Sequence, residues 1–227
     1  MKKIKVLLTG FLIAAIFIAG CKTMNKSQKG AVIGTAGGAA AGAVIGKVAG
    51  NTVLGAIIGA GVGGVTGAVI GRKMDKQAEE IKKEVPDADV VRVGEGIVIE
   101  FKSQILFGFD QSNLTTDART NLDKLVIILQ KYPDTDIEVQ GHTDSKGTTR
   151  YNESLSERRA SAVSNYLSGK AINAARLTTN GFGETMPKYT NTTEEGQTQN
   201  RRVEFLISAN EKMKADAAKE AEKNGGR

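Results

Sequence analysis

Hydrophobic and polar positions divide the 227-residue chain into blocks of different periodicity. Three lysines, Lys2, Lys3 and Lys5, precede an apolar run over 6–19, the pattern of a secretory signal peptide over 1–20. A short polar tether, 22–29, leads into 30–71, where glycine recurs every fourth residue at 30, 34, 38, 42, 46 and 50. The count slips by one and resumes at 55, 59, 63, 67 and 71. Glycines at this spacing form a stripe along a helix, and such stripes let two backbones approach closely in lipid. Each half would span about 25–31 Å at 1.5 Å per residue, near the ~30 Å hydrocarbon thickness of a bilayer. The slip at "GNTVLG" predicts a turn, hence a helical hairpin whose glycine faces zip together. Val32, Ile33, Val69 and Ile70 would then be among the residues turned outward, to lipid or to other copies.

Residues 72–92 are rich in charge and helical in pattern up to Pro86, and read as a linker. A globular pattern occupies 93–208. Its β-rich stretches are "GIVIEF" (96–101) and "ILFGFD" (105–110). A helix follows over 115–132, with Ala118, Leu122, Leu125, Val126 and Leu129 on one face and Pro133 as its stop. "DIEVQGHT" (136–143) alternates as a strand. A second helix over 154–169 opens with Ser154 and Glu157 at capping-box spacing and closes at Gly169. A weaker strand (176–183) and a final one (201–208, with Val203, Phe205 and Ile207 on one face) complete a β-α-β-α-β-β order. That order predicts an α/β fold, a two-layer sandwich. Residues 209–227 form a charged tail without a useful apolar face.

Composition narrows the function. The net charge is +6, and without the three signal-peptide lysines it falls to +3. That is too mild and dispersed to argue for nucleic acid. His142 is the only histidine, whereas zinc takes three or four protein ligands. No metal or other cofactor is expected, and no Ser/His/Asp arrangement or phosphate-cradling loop is present, so the chain does not read as an enzyme. Cys21 is the only cysteine, and an exported protein with a lone cysteine has no intramolecular disulfide for it. "IAGC" ahead of it resembles a bacterial lipobox, with Ile18 where leucine is usual. The resemblance implies a lipidated Cys21 at the mature N-terminus, and more than one acyl chain suffices for stable anchoring.

On the second helix, with Leu155 as origin, Arg159 falls at about 40°, inside the apolar stripe of Leu155, Ala162, Val163 and Tyr166. An inward guanidinium is costly unless paired. The nearest carboxylate by topology is Asp144, just beyond the preceding strand, where open α/β sheets place ligands. Two outcomes stay open: a buried Arg159–Asp144 ion pair that joins loop to helix, or a receptor in which arginine forks a carboxylate and aspartate takes an ammonium.

The blocks "FDQSNLT" (109–115), "GHTDSKGTTRYNESLSERRASAV" (141–163), "NGFGETMP" (180–187) and "NRRVEF" (200–205) together resemble the OmpA C-terminal domain. With the lipobox and the glycine repeat, the whole chain resembles an OmpA-family lipoprotein of the YiaD type. The resemblance implies a peptidoglycan-binding domain over 93–208 that holds the diaminopimelate of the stem peptide. It places the ligand-binding aspartate on Asp144 and the ligand-binding arginine on Arg159. Asn152 and Arg202 fall at positions that line the site in some members, with Arg201 as the alternative to Arg202, and Asp110 falls on the rim. The expected protein is a non-catalytic tether, lipid-anchored in the bacterial outer membrane with its globular domain in the periplasm. Its partners would be peptidoglycan, membrane lipid and further copies of itself through the glycine zipper. The alternative is a membrane-active or self-associating zipper protein whose globular domain serves only for localisation.

Overall fold

The computed structural model describes residues 64–108 and 110–225. The signal peptide, the expected lipidation at Cys21 and the glycine hairpin as far as residue 63 lie outside the described residues. Within them, helix α1 (Gly64–Glu84) leads into strands β1 (Asp89–Val93) and β2 (Gly96–Lys102). The short helix α2 (Ser103–Leu106), helix α3 (Thr116–Lys131) and strand β3 (Thr135–His142) follow. Helix α4 (Thr149–Gly169), strand β4 (Leu177–Gly181), helix α5 (Glu194–Asn200), strand β5 (Arg202–Ala209) and helix α6 (Glu211–Gly225) complete the order. The strands form one five-stranded sheet, β1-β2-β5-β3-β4, antiparallel except where β3 and β4 run parallel.

Alternation divides the sheet into an apolar and a polar face. On the apolar face Ile97, Ile207 and Ile137 are in register, as are Ile99, Phe205 and Val139. Phe101 and Phe205 meet edge to face with centroids 5.7 Å apart. Leu122, Leu125 and Leu129 of α3 and Ala160, Val163 and Leu167 of α4 pack into the same core. The opposite face carries Glu100, Gln140, His142, Arg202 and Glu204, all buried. Part of the segment 182–191 is tied to that face: Lys188 reaches Glu100 at 2.6 Å and Glu204 at 3.3 Å, and the Phe182 ring stacks on His142. Helices α3 and α4 thus share one apolar layer, and the two-layer α/β architecture expected from the sequence is the one observed.

Several elements differ from the sequence expectation. Residues 72–92 are not a linker. Helix α1 runs unbroken from the end of the glycine repeat to Glu84, and Val69, Ile70, Met74, Ala78, Ile81 and Val85 bury one side of it in the core. Val69 and Ile70 therefore face the domain and not lipid or another copy. The tail is likewise integrated: α6 lies against α1, Met213 and Ala217 are buried, and Arg72 pairs with Glu220. "DVVRV" (89–93) forms the edge strand β1 as the first half of a hairpin with β2. Residues 105–108 do not form the expected strand; Phe107 makes an isolated bridge to Leu114 after α2 ends. Helix α4 begins five residues before the predicted start, because the Thr148 hydroxyl, and not Ser154, caps it by accepting from the Tyr151 amide.

Candidate functional site

The site lies at the C-terminal end of β3, where α4 crosses the sheet at unusually close range. A Cβ added at Gly141 would sit 2.2 Å from the Ser156 carbonyl oxygen, and one at Gly181 would sit 2.5 Å from the Glu157 nitrogen. Only glycine permits that approach, which brings the middle of α4 against the strand ends. The chain after β3 is then set by local bonds. The Thr143 amide donates to the Gly183 carbonyl, the Asp144 carboxylate accepts from the Lys146 amide at 2.9 Å, and Gly147 takes a positive φ of 102° before the Thr148 cap.

These elements enclose a cavity of about 510 Å³, lined by Phe107, Asp110, Asp144, Tyr151, Asn152 and Arg159 among others. Lys146, Glu194 and Arg201 complete its charged lining. Three cations therefore face three carboxylates, the balance that suits a zwitterion better than a polyanion.

Arg159 reaches this cavity from α4 with only 5% of its surface exposed. Its Nε donates to the Gln111 carbonyl at 2.9 Å, and its guanidinium lies over the Phe107 ring, 5.3 Å from the centroid. Among the described residues its two terminal nitrogens have no hydrogen-bond partner, and no carboxylate lies within ion-pair distance. Burial lowers its pKa, and the nearby Asp110 carboxylate works in the opposite direction. Such a guanidinium keeps a donor fork in reserve for a ligand.

Asp144 is also buried, at 5% exposure. Its partner is Arg201, whose Nη1 donates to Oδ2, so the Arg159–Asp144 ion pair considered from the sequence does not form. Arg201 is held in turn by Thr198 at 2.7 Å. Asn152 lies in the wall, donating to Glu184 at 2.6 Å and to the Asp144 carbonyl at 3.3 Å. Asp110 stands on the rim with a positive φ of 56° and accepts the Tyr151 hydroxyl. That bond raises the pKa of Tyr151.

The structure thus brings Asp144, Arg159, Asn152 and Asp110 together and leaves out Arg202. Arg202 is 1% exposed and turned to the polar face of the sheet, where its Nε donates to Glu204 at 2.7 Å. The strand begins one residue later than predicted, and Arg201 is the residue after α5, neither helical nor extended. Lys146, Tyr151, Glu194 and Phe107 were not foreseen. Lys146 and Tyr151 could have been, since they flank the Asp144 loop and the Thr148 cap. Glu194 comes from α5, a polar helix with no apolar periodicity. His142 is fully buried beside, and not in, the cavity.

The OmpA family model matches residues 106–201, and a YMGG-like Gly-zipper model matches 1–75. The outer-membrane lipoprotein YfiB of Pseudomonas aeruginosa is 34% identical over 115 residues, 51% of this chain and 68% of that protein. The chain belongs to the OmpA family. The probable lipoprotein YiaD of Escherichia coli is 34% identical over 119 residues, covering 52% of this chain and 54% of that one. Across four curated relatives, YiaD included, the chain spans 16% to 54% of their length. Among solved structures, the cell wall anchor of the T6SS from Pseudomonas aeruginosa is similar with a TM-score of 0.53 at 28% identity. That match covers 60% of this chain and 96% of the other.

Proposed function

We propose that the protein is a non-catalytic tether between the outer membrane and peptidoglycan. Lipidated Cys21 anchors it, and the cavity between α4 and the β3 end holds the free end of diaminopimelate in the stem peptide. The observation that carries this reading is Arg159: a buried cation whose terminal nitrogens have no protein partner among the described residues. A ligand carboxylate would receive both terminal nitrogens and supply the counter-charge that burial demands. Asp144 and Asp110, both in the cavity wall, offer carboxylate oxygens for the ammonium on the same carbon. The likeness to a solved cell wall anchor supports the partner, and the relatives named as lipoproteins support the anchor. No helix among the described residues is long and apolar enough to cross a membrane.

Pull-down on purified sacculi tests the reading. Arg159→Ala and Asp144→Asn should each weaken retention, Arg159→Ala by about 2–5 kcal/mol, thirty-fold or more. Retention equal to wild type for both variants would overturn it. Mass spectrometry of the mature N-terminus tests the anchor separately, because an unmodified Cys21 would remove the membrane end of the tether.

A further inference from the structure

Three consecutive residues, Asn200, Arg201 and Arg202, leave α5 and enter β5 with different fates. The Asn200 side chain is fully buried and uses all its capacity within a nearby loop. Its Oδ1 accepts from the Lys188 and Tyr189 amides, and its Nδ2 donates to the Tyr189 carbonyl and to Asn191. Arg202 is the largest fully buried side chain among the described residues. Its Nε donates to Glu204 at 2.7 Å, its Nη1 to the Asn200 carbonyl at 3.2 Å, and its Nη2 to the Met186 carbonyl at 3.2 Å. One guanidinium thus ties together the end of α5, the start of β5 and the 186–191 segment. Lys188 closes the group by bridging Glu100 and Glu204.

Arg201 sits between these two anchors. Its amide donates to the Gln197 carbonyl and its carbonyl accepts from the Ser103 amide at 2.8 Å, so its backbone is pinned on both sides. Only its side chain is left to turn toward the cavity, where it meets Asp144. A buried charge group of this kind is poor value as a source of stability, because well-packed apolar residues often do as well. Its distinctive contribution is direction. Donors from one rigid plane reach three different chain segments, which an apolar side chain cannot do.

We infer that Arg202 is a positioning residue for the ligand cavity: it fixes the backbone from which Arg201 reaches Asp144, without touching the ligand itself. This rests on the reading of the cavity as the diaminopimelate site. With Arg202 gone, the Arg201 backbone keeps its bonds to Gln197 and Ser103, but the junction loses its ties to the Asn200 and Met186 carbonyls, and the Arg201 side chain is braced less firmly against Asp144.

The test is a double-mutant cycle on the full chain in detergent, with free meso-diaminopimelate as the titrated probe. Arg202→Met should weaken binding ten-fold or more while the circular dichroism spectrum stays that of the wild type, and Arg202→Lys should recover part of the loss. In an Arg201→Gln background the same Arg202→Met change should cost less than two-fold, because its effect passes through Arg201. A wild-type affinity for Arg202→Met, or an equal loss in both backgrounds, overturns the inference. Should Arg202→Met fail to fold, the pair Arg202→Met/Glu204→Leu removes both charges together, leaves Lys188 on Glu100, and is run through the same cycle. A wild-type protein that does not bind the probe, or an Arg159→Ala variant that binds it normally, instead overturns the reading of the cavity and with it the role of Arg202 there.

Discussion

His142 should make the stability of this protein fall on mild acidification. Its ring is fully buried, stacked 5.5 Å from Phe182, and neither nitrogen has a hydrogen-bond partner among the described residues. Burial, and then the Arg202 charge, push its pKa from 6.5 down to about 3, with Lys188 adding to the push and Glu204 opposing it. The folded state therefore keeps the ring neutral at pH values where the unfolded chain protonates it. Stability from this group is full above pH 6.5 and is lost progressively as the pH falls toward 3, because the unfolded state binds the extra proton. Between pH 7 and pH 5 the loss is about 2 kcal/mol, from 1.36 kcal/mol per unit over the part of that range below 6.5. Glu204, held down to about 2 by Arg202 and Lys188 against the upward push of burial, contributes a loss of the same sign only below its ordinary 4.5. Urea unfolding at pH 7 and pH 5, at fixed ionic strength, separates the two. His142→Phe keeps an aromatic ring against Phe182 and removes the titration, so its stability should fall by about 2 kcal/mol less than that of wild type over this interval. An equal fall in the two proteins would refute the argument.

Two further outcomes follow from the packing. Gly141→Ala places a methyl group 2.2 Å from a backbone oxygen of α4. It should cost about 1–3 kcal/mol or more in urea titrations and weaken sacculus binding as well, since Asp144 lies three residues on. Ile81→Ala should cost about 2–5 kcal/mol, because Ile81 is fully buried on α1; a change near zero would return residues 72–92 to the status of a linker.

The legible parts of the sequence were those with strong periodicity. Helix α3 is bounded within a residue of expectation because its leucines are spaced for one face and Pro133 follows. Asp144 and Arg159 could be paired in one site because a strand end and an apolar helical stripe both point there. The elements that escaped have weak patterns of their own. Helix α1 offers the core a face of modest size set among lysines and glutamates, and α6 offers, among the described residues, only Met213 and Ala217, so each is fixed by the other and by the sheet. The choice between Arg201 and Arg202 turned on a single residue of strand register. Alternation assigns Arg201 inward if the strand starts there, but α5, a helix without apolar spacing, delays the start to Arg202 and frees Arg201 for the cavity.

Helix α1 also sets how load would travel through a tether of this design. Its 21 residues make a rod of about 31 Å, clamped along one side from Val69 to Val85 and flanked by the Arg72–Glu220 pair. A pull arriving at Gly64 meets no slack chain before the sheet. It is borne at once by the first clamped turns, so the junction between residue 64 and the cavity behaves as a stiff strut and not as a spring.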